Sequence, residues 1–413
     1  MASLRLRLSH ALIATHGWRA AWAWAVALVL ACRLGLGLAM GTAWVIVKPY
    51  LPASRLADTA PYDGLPVYST FPADAALGVW QRWDAVHYLN LARRGYGGLS
   101  EGDTAFYPLY PLLVRAVARS LGVGYLVSGL IVSTVAAAAA LACLYRLVEL
   151  RYGAASARWT VLALATYPTS FFLVAPFTEA LFLALTLGAF LAAHARRWWL
   201  AGVFGALSSL ARGPGVLTSA ALAWIGGTQW KEDNPLLRPG LAVRRVAPVS
   251  IGIASPILGG LAFLYWRKVA GYAPMPEVWR TYSGIELTDP LRGTYYAIAQ
   301  MIAVHDLPTI LEVTTAFFFL SLTLALFANR RWRQPEWAIY MGANLVVFLS
   351  KHSLVASSFH GIGRYVLVLF PGFIVIGDWL AHHRPRWRFT YVVVSSVLLI
   401  GLSILFAFWV FIG

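Results

Sequence analysis

Residues 20–47 read AAWAWAVALVLACRLGLGLAMGTAWVIV, with Arg33 as the only charge. A helix needs about 20 apolar residues to cross a bilayer, and the apolar core of a signal peptide is shorter than that. The stretch, preceded by Arg5, Arg7 and Arg19, is therefore expected to be an uncleaved first membrane span. Comparable apolar runs recur near 124–149, 157–174, 177–194, 247–270, 309–328, 336–350, 362–381 and 389–412. Hydrophobic residues make up 59% of the 413 and charged ones only 12%, about half the share usual in soluble domains. These features predict an all-α polytopic membrane protein, one domain over residues 1–413.

The charge balance, 33 Lys and Arg against 17 Asp and Glu, gives +16. No basic face or base-stacking motif accompanies it, so nucleic acid is not expected as a partner. The basic residues instead cluster in short segments between apolar runs, as retained cytoplasmic loops require. Residues 199–227 read either as one kinked helix or as a hairpin of two short helices broken at Arg212-Gly213-Pro214-Gly215. Only the hairpin puts Lys231, Arg238, Arg244 and Arg245 on the same side as Arg146–Arg158, Arg196–Arg197, Arg330–Arg333 and His382–Arg388. That count gives about 11 spans.

The other face then receives a long loop over 48–123, tight turns at 175–178 and 212–214, and loops over 271–308 and 351–364. Within the first loop, VWQRWDAVHYLNLA (79–92) places Val79, Trp83, Val86, Leu89 and Leu91 at helical spacing, with Trp80 and Trp83 suited to the headgroup level. A second amphipathic segment, 107–121, carries Arg115 and Arg119. Both are expected to lie at the interface rather than cross it. Cys32 and Cys143, the only cysteines, sit in apolar runs and support neither a disulfide frame nor a zinc site.

Asp84 and His87, three residues apart on this helix, share one face. They are either a functional pair or a carboxylate and an imidazole facing water. Glu179, in Pro176-Phe177-Thr178-Glu179, either caps a helix start together with Thr178 or points into a polar cavity, where Arg212 is the expected partner. Arg212 and Arg364 each stand beside glycine at the outer end of a span. Their forked guanidinium suits phosphate oxygens, and Lys351, His352 and His360 are close to Arg364 in sequence; snorkelling to headgroups is the structural alternative. Glu101 and Asp103 form a Glu-x-Asp that reads better as a solvated turn than as a cation site. No G-x-S-x-G, H-E-x-x-H, P-loop or dinucleotide fingerprint is present.

Taken in order, WDAVHYLNLARRGY (83–96), AFYPLYPLLVR (105–115), YPTSFFLVAPFTEALF (167–182), LARGPG (210–215) and GRYVLVLFP (363–371) form a series that resembles the GPI mannosyltransferase II family, the PIG-V type. The resemblance runs from about residue 80 to 371. It implies a GT-C type transmembrane helix bundle with a large first outer loop, and a polyprenyl-phosphate-mannose donor. It also implies inverting transfer to a lipid-linked or glycan acceptor hydroxyl on the non-cytoplasmic face. The Trp-Asp motif maps on Trp83-Asp84 and the acidic residue of the Ser/Thr-Glu motif on Glu179. The ARGPG motif, where relatives often have a polar residue after Arg212, and the short, Ala-, Arg- and Trp-rich chain suggest a prokaryotic member in the bacterial plasma membrane; a eukaryotic one would sit in the ER membrane with a lumenal site.

The resemblance implies Asp84 as general base and Arg364, with Arg212 as second choice, at the leaving phosphate. His87, Tyr107, Glu179, Lys351, His352, His360 and Tyr365 complete the expected substrate-binding set. No metal or other cofactor is required, though a divalent cation is compatible with the chemistry. A lipid-sugar flippase and a noncatalytic membrane subunit are the competing readings. No internal repeat supports the first.

Overall fold

The structure is a computed structural model that describes residues 15–52, 64–97, 101–233, 239–353 and 358–410. Arg5, Arg7 and Arg238 lie outside the described residues. The chain is a helix bundle: α1 Thr15–Val47, α2 Asp84–Arg94, α3 Leu109–Leu121, α4 Tyr125–Ala165, α5 Glu179–His194, α6 Trp198–Ala211, α7 Thr218–Asp233 and α8 Pro239–Val269 form its first part. It continues with α9 Met275–Ser283, α10 Pro290–Val304, α11 Leu307–Ala328, α12 Pro335–Leu349, α13 Ile362–Tyr365, α14 Phe370–His382 and α15 Pro385–Ala407. A two-stranded antiparallel ribbon, β1 Ile285–Leu287 and β2 Lys351–Ser353, pairs Glu286 with His352.

α4 is two helices in one. Gly153 adopts φ 84°, ψ 169° inside it, a conformation open to glycine, and the chain turns back there. The contacts record the reversal: Arg33 of α1 bonds both Leu130 before the turn and Val174 after it, while Arg146 lies against Gly17. The loop expected at Arg146–Arg158 is thus a single left-handed residue. The ambiguous stretch 199–227 is a hairpin of α6 and α7, since Trp198 Nε1 donates to Gln229 Oε1 at 3.1 Å across its open end and Arg212 sits at its tip.

The basic clusters meet at one end of the bundle. Arg196 pairs with Asp233 at 2.6 Å, Tyr152 donates to Arg331 O at 3.3 Å, and Arg331 joins Asp378 at 2.5 Å and His382 at 3.2 Å. Among the described residues five helices are long and apolar enough to cross a membrane unaided, and α13–α14, bent by 75°, makes a sixth if counted as one span. The α5, α6, α7 and α12 helices have only 14 to 16 residues. At 1.5 Å per residue they reach about 21 to 24 Å, short of a hydrocarbon core of about 30 Å. Their irregular ends lie among other helices, where backbone off the helical ladder is tolerated. Nearly every residue of α5 is buried, so its apolar surface runs all the way round with no periodic face.

α6 packs on α8 through small residues. A methyl group added at Gly259 would stand 2.7 Å from Ala206 O, so close backbone approach there depends on the missing side chain.

The first loop departs from expectation. Its helix begins at Asp84, not Val79, because Trp83 takes φ 55°, which breaks the segment. Seven of the eleven α2 residues are buried, so α2 is packed into the bundle rather than laid on its surface. Trp80, 2% exposed, lies under the Arg33 guanidinium at 4.7 Å rather than at a headgroup level.

Candidate active site

The end of the bundle opposite the basic clusters holds a linked set of charges. Asp84 is the first residue of α2, just after the strained Trp83. That residue is held by an edge-on contact with Trp409 at 5.5 Å and by buried Arg82, which donates to Ala407 O at 2.7 Å. A backbone in a sparsely populated region survives only where its surroundings over-determine it, and such positions gather at functional sites. Arg364 Nη1 donates to Asp84 Oδ2, and Arg212 Nη1 to Glu179 Oε1. Arg364 Nε stands 3.9 Å from the same Glu179 oxygen, so two carboxylates and two guanidinia form one chain.

Each of these side chains is aimed by a local break in regular structure. Arg212 is extended (φ −155°, ψ 144°) where α6 ends, and Gly215 lies so close to Ser208 and Ser209 that a methyl group there would collide with their backbone. Gly361, at φ 86°, precedes α13, and its N–H donates to Glu312 Oε1 at 3.3 Å, which fixes the turn presenting Arg364. Thr178 makes no side-chain cap on α5. Its hydroxyl lies instead 3.4 Å from Tyr88 and 3.5 Å from Arg212, and Glu179, 1% exposed, faces the arginines. Arg212 and Arg364 are only 13% and 12% exposed, which rules out snorkelling.

Tyr365 is the floor of the set. The Lys351 ammonium lies 4.0 Å from its ring centre, and the Arg212 and Arg364 guanidinia 5.0 and 5.2 Å. Three cations thus face two carboxylates and the Tyr365 hydroxyl. Burial pushes the Asp84 carboxyl up, but the Arg364 guanidinium, aided by His87 and Arg212, outweighs it and holds the group below the usual carboxylate range. Burial likewise pushes the Lys351 ammonium down, with Arg212 and Arg364 adding to the effect and Tyr365 opposing it. His360 is lowered to about 4 by burial and by Arg364, against the pull of Asp84, so it is neutral at pH 7 and offers hydrogen bonds rather than charge.

The remaining expected residues divide. Tyr107 is at the edge of the set, its hydroxyl against Gly213 and its ring 4.8 Å from Phe263. His87, one turn along α2 from Asp84, gives its Nδ1 to Asp103 Oδ1 at 2.5 Å and stacks on Phe106. Asp103 is only 5% exposed, so the Glu101–Asp103 segment is not a solvated turn. His352 is turned away from the set: successive strand residues point to opposite faces, Lys351 faces Tyr365, and His352 meets Ser358 at 3.2 Å and Tyr296. Among the described residues no group of three or more His, Cys, Asp or Glu is placed to hold a metal ion. Sequence reasoning read Thr178 as a cap and Asp103 as a turn residue, and it missed Tyr88 and Glu312. Of these only Glu312, a carboxylate inside an apolar span, carried a signal that could have been read.

A bundle of apolar helices whose buried charges gather around Tyr365 at one end is the arrangement of a polytopic membrane protein with a polar site between its helices. The family model described as mannosyltransferase (PIG-V) matches residues 56–266, just over half of the chain, and the chain belongs to that family. It is similar to the GPI alpha-1,6-mannosyltransferase 2 of Mus musculus, 31% identical over 160 residues. That match covers 35% of this chain and 31% of the mouse protein, so the chain spans about a third of the length of this curated relative. In fold it is similar to ArnT from Cupriavidus metallidurans, whose crystal structure was solved bound to undecaprenyl phosphate. The TM-score is 0.50 at 16% identity, covering 78% of this chain and 61% of that one.

Proposed function

We propose that this membrane mannosyltransferase takes its mannosyl residue from a polyprenyl-phosphate sugar and transfers it, with inversion, to an acceptor hydroxyl on the non-cytoplasmic face. The observation that carries the reading is the linked set Asp84–Arg364–Glu179–Arg212, with Lys351 against the same Tyr365 ring as the two arginines. A phosphate suits such a site, because guanidinium forks match its oxygens.

In this reading the leaving phosphate takes Arg364, with Arg212 and Lys351 behind it. Charge that accumulates on the phosphate in the transition state is met by donors already in place. As Arg364 turns to the phosphate it loosens its hold on Asp84, and the carboxylate regains basicity at the moment an acceptor oxygen needs a base. Asp84 takes the acceptor proton, the oxygen attacks the anomeric carbon, and the phosphate departs from the opposite face with the bonding electron pair. Glu179 keeps the two arginines apart and oriented.

That undecaprenyl phosphate occupies ArnT, a protein of the same fold, is consistent with a polyprenyl-phosphate donor here. The test is transfer of labelled mannose from polyprenyl-phosphate-mannose to a native lipid extract by purified wild type and Asp84→Asn. Transfer by wild type, with a loss of roughly 100- to 10,000-fold in a folded variant, is expected. Equal transfer by both would remove Asp84 from the mechanism.

A further inference from the structure

His87 and Asp103 are not used by the mechanism above, yet they are built as a unit. The turn Glu101–Ala105 that carries Asp103 is clamped from the end of α8 and the segment after it: Arg267 donates to Thr104 O and, at 2.7 Å, to Ala273 O, and the Tyr282 hydroxyl donates to Glu101 Oε2 at 2.9 Å. Gly102 lies against the Tyr282 ring, leaving no slack in the turn. The clamp brings a buried carboxylate to the Nδ1 of an imidazole that is half exposed, stacked on Phe106 at 5.0 Å and one helical turn from Asp84.

A general base that has taken a proton must lose it before the next cycle, and Asp84, held by Arg364 and mostly covered, has the His87 imidazole as a neighbour on its own helix. We propose that Asp103 and His87 form a dyad that carries this proton away: the carboxylate fixes the imidazole with Nδ1 protonated, Nε2 receives the proton from Asp84, and the imidazolium releases it to water. The balance closes, since the acceptor O–H proton goes to Asp84, then to His87, then to solvent, and Asp84 returns as carboxylate. Asp103 is a positioning residue in this scheme, acting only through His87. The charged groups facing His87 include Asp84 on its own helix and Asp103 on the turn packed against it. The inference rests on the reading of Asp84 as base.

The test separates the two. In the full-length chain, carbethoxylation of His87 by diethyl pyrocarbonate, followed by mass spectrometry, gives the pH midpoint of the imidazole without any transfer. In Asp103→Asn that midpoint is expected to fall by at least about one pH unit, the shift an opposite charge in contact typically produces. Turnover of polyprenyl-phosphate-mannose in the same variant and in His87→Ala is expected to fall roughly 100-fold, with the KM for this donor unchanged. Added imidazole restores His87→Ala and not Asp84→Asn. An unchanged midpoint in Asp103→Asn, or full turnover in His87→Ala, overturns the dyad. Should Asp103→Asn not fold, the imidazole rescue of His87→Ala decides. If wild type transfers nothing from this donor, the functional reading fails, while the midpoint still decides whether Asp103 holds His87.

Discussion

Arg364 donates to Asp84 across 280 residues of sequence, and its Nε faces Glu179 at 3.9 Å, so one guanidinium ties the first loop to the start of α5. Its two roles in the proposed reaction, restraining the base and receiving the phosphate, make its loss non-additive with that of Asp84. Arg364→Gln is expected to lower turnover roughly 100- to 1,000-fold, the range for removing one donor from a developing charge. Placed on top of Asp84→Asn, it should cost far less than it does alone. Independent, multiplying losses in the four-variant cycle would show that the two groups act apart. Lysine is no substitute, because a point charge cannot serve two oxygens in one plane.

Glu179 is a structural counterion as much as a functional one. It is 1% exposed and is the acceptor for Arg212, with Arg364 close behind. Glu179→Gln leaves two buried guanidinia facing each other without their shared anion, and breaking a buried pair from one side costs about 3–5 kcal/mol. Thermal unfolding in detergent should show a clear drop in Tm for Glu179→Gln, recovered in part by adding Arg212→Leu. An unaltered Tm in the single variant would mean that water or lipid reaches the pair.

Much of this was legible in the sequence because lipid imposes strict rules. Apolar length and the pairing of basic clusters located the bundle and its hairpin, while the Asp84–His87 spacing in the first loop and isolated charges at the outer ends of spans singled out Asp84, Glu179, Arg212 and Arg364, which the structure brings together. The misses have physical causes. The break at Trp83 comes from tertiary contacts with Arg82 and Trp409, which no local pattern contains. Asp103 looked like a turn residue because Glu-Gly-Asp is turn chemistry. Its burial comes from Arg267 and Tyr282, more than 160 residues away. His352 was grouped with Lys351 by proximity, and only the ribbon pairing shows that neighbours on a strand face opposite sides.

The Lys351 ammonium gives the site a pH dependence with a definite sign. Its pKa is depressed from the usual lysine range, chiefly by burial. A phosphate favours the charged amine, so donor affinity is expected to be full below the depressed pKa and to weaken as pH rises through it, earlier than an ordinary lysine would allow. In Lys351→Arg the side chain stays charged throughout, since guanidinium does not deprotonate in proteins, and the alkaline loss should disappear. Titrating the KM for polyprenyl-phosphate-mannose from pH 6 upward in both proteins checks this. A loss at the same pH in Lys351→Arg would assign it to another group.

Arg33, in the middle of the first span, invites a functional reading that its contacts do not require. One of its nitrogens, Nη2, serves Leu130 O at 3.1 Å, Thr134 Oγ1 at 2.7 Å and Val174 O, and the guanidinium covers Trp80. Among the described residues no carboxylate pairs with it. In Arg33→Met, Leu130 O keeps the Thr134 hydroxyl at 2.6 Å, so Val174 O is the acceptor left exposed to the penalty for an unmade bond, about 1–3 kcal/mol. Relief of an unpaired buried charge offsets part of that. The expected result is a modest fall in Tm with mannose transfer per folded molecule unchanged, because Arg33 belongs to the packing of α1 against α4 and not to the charge set around Tyr365. A loss of transfer at unchanged Tm would instead place Arg33 in contact with a substrate.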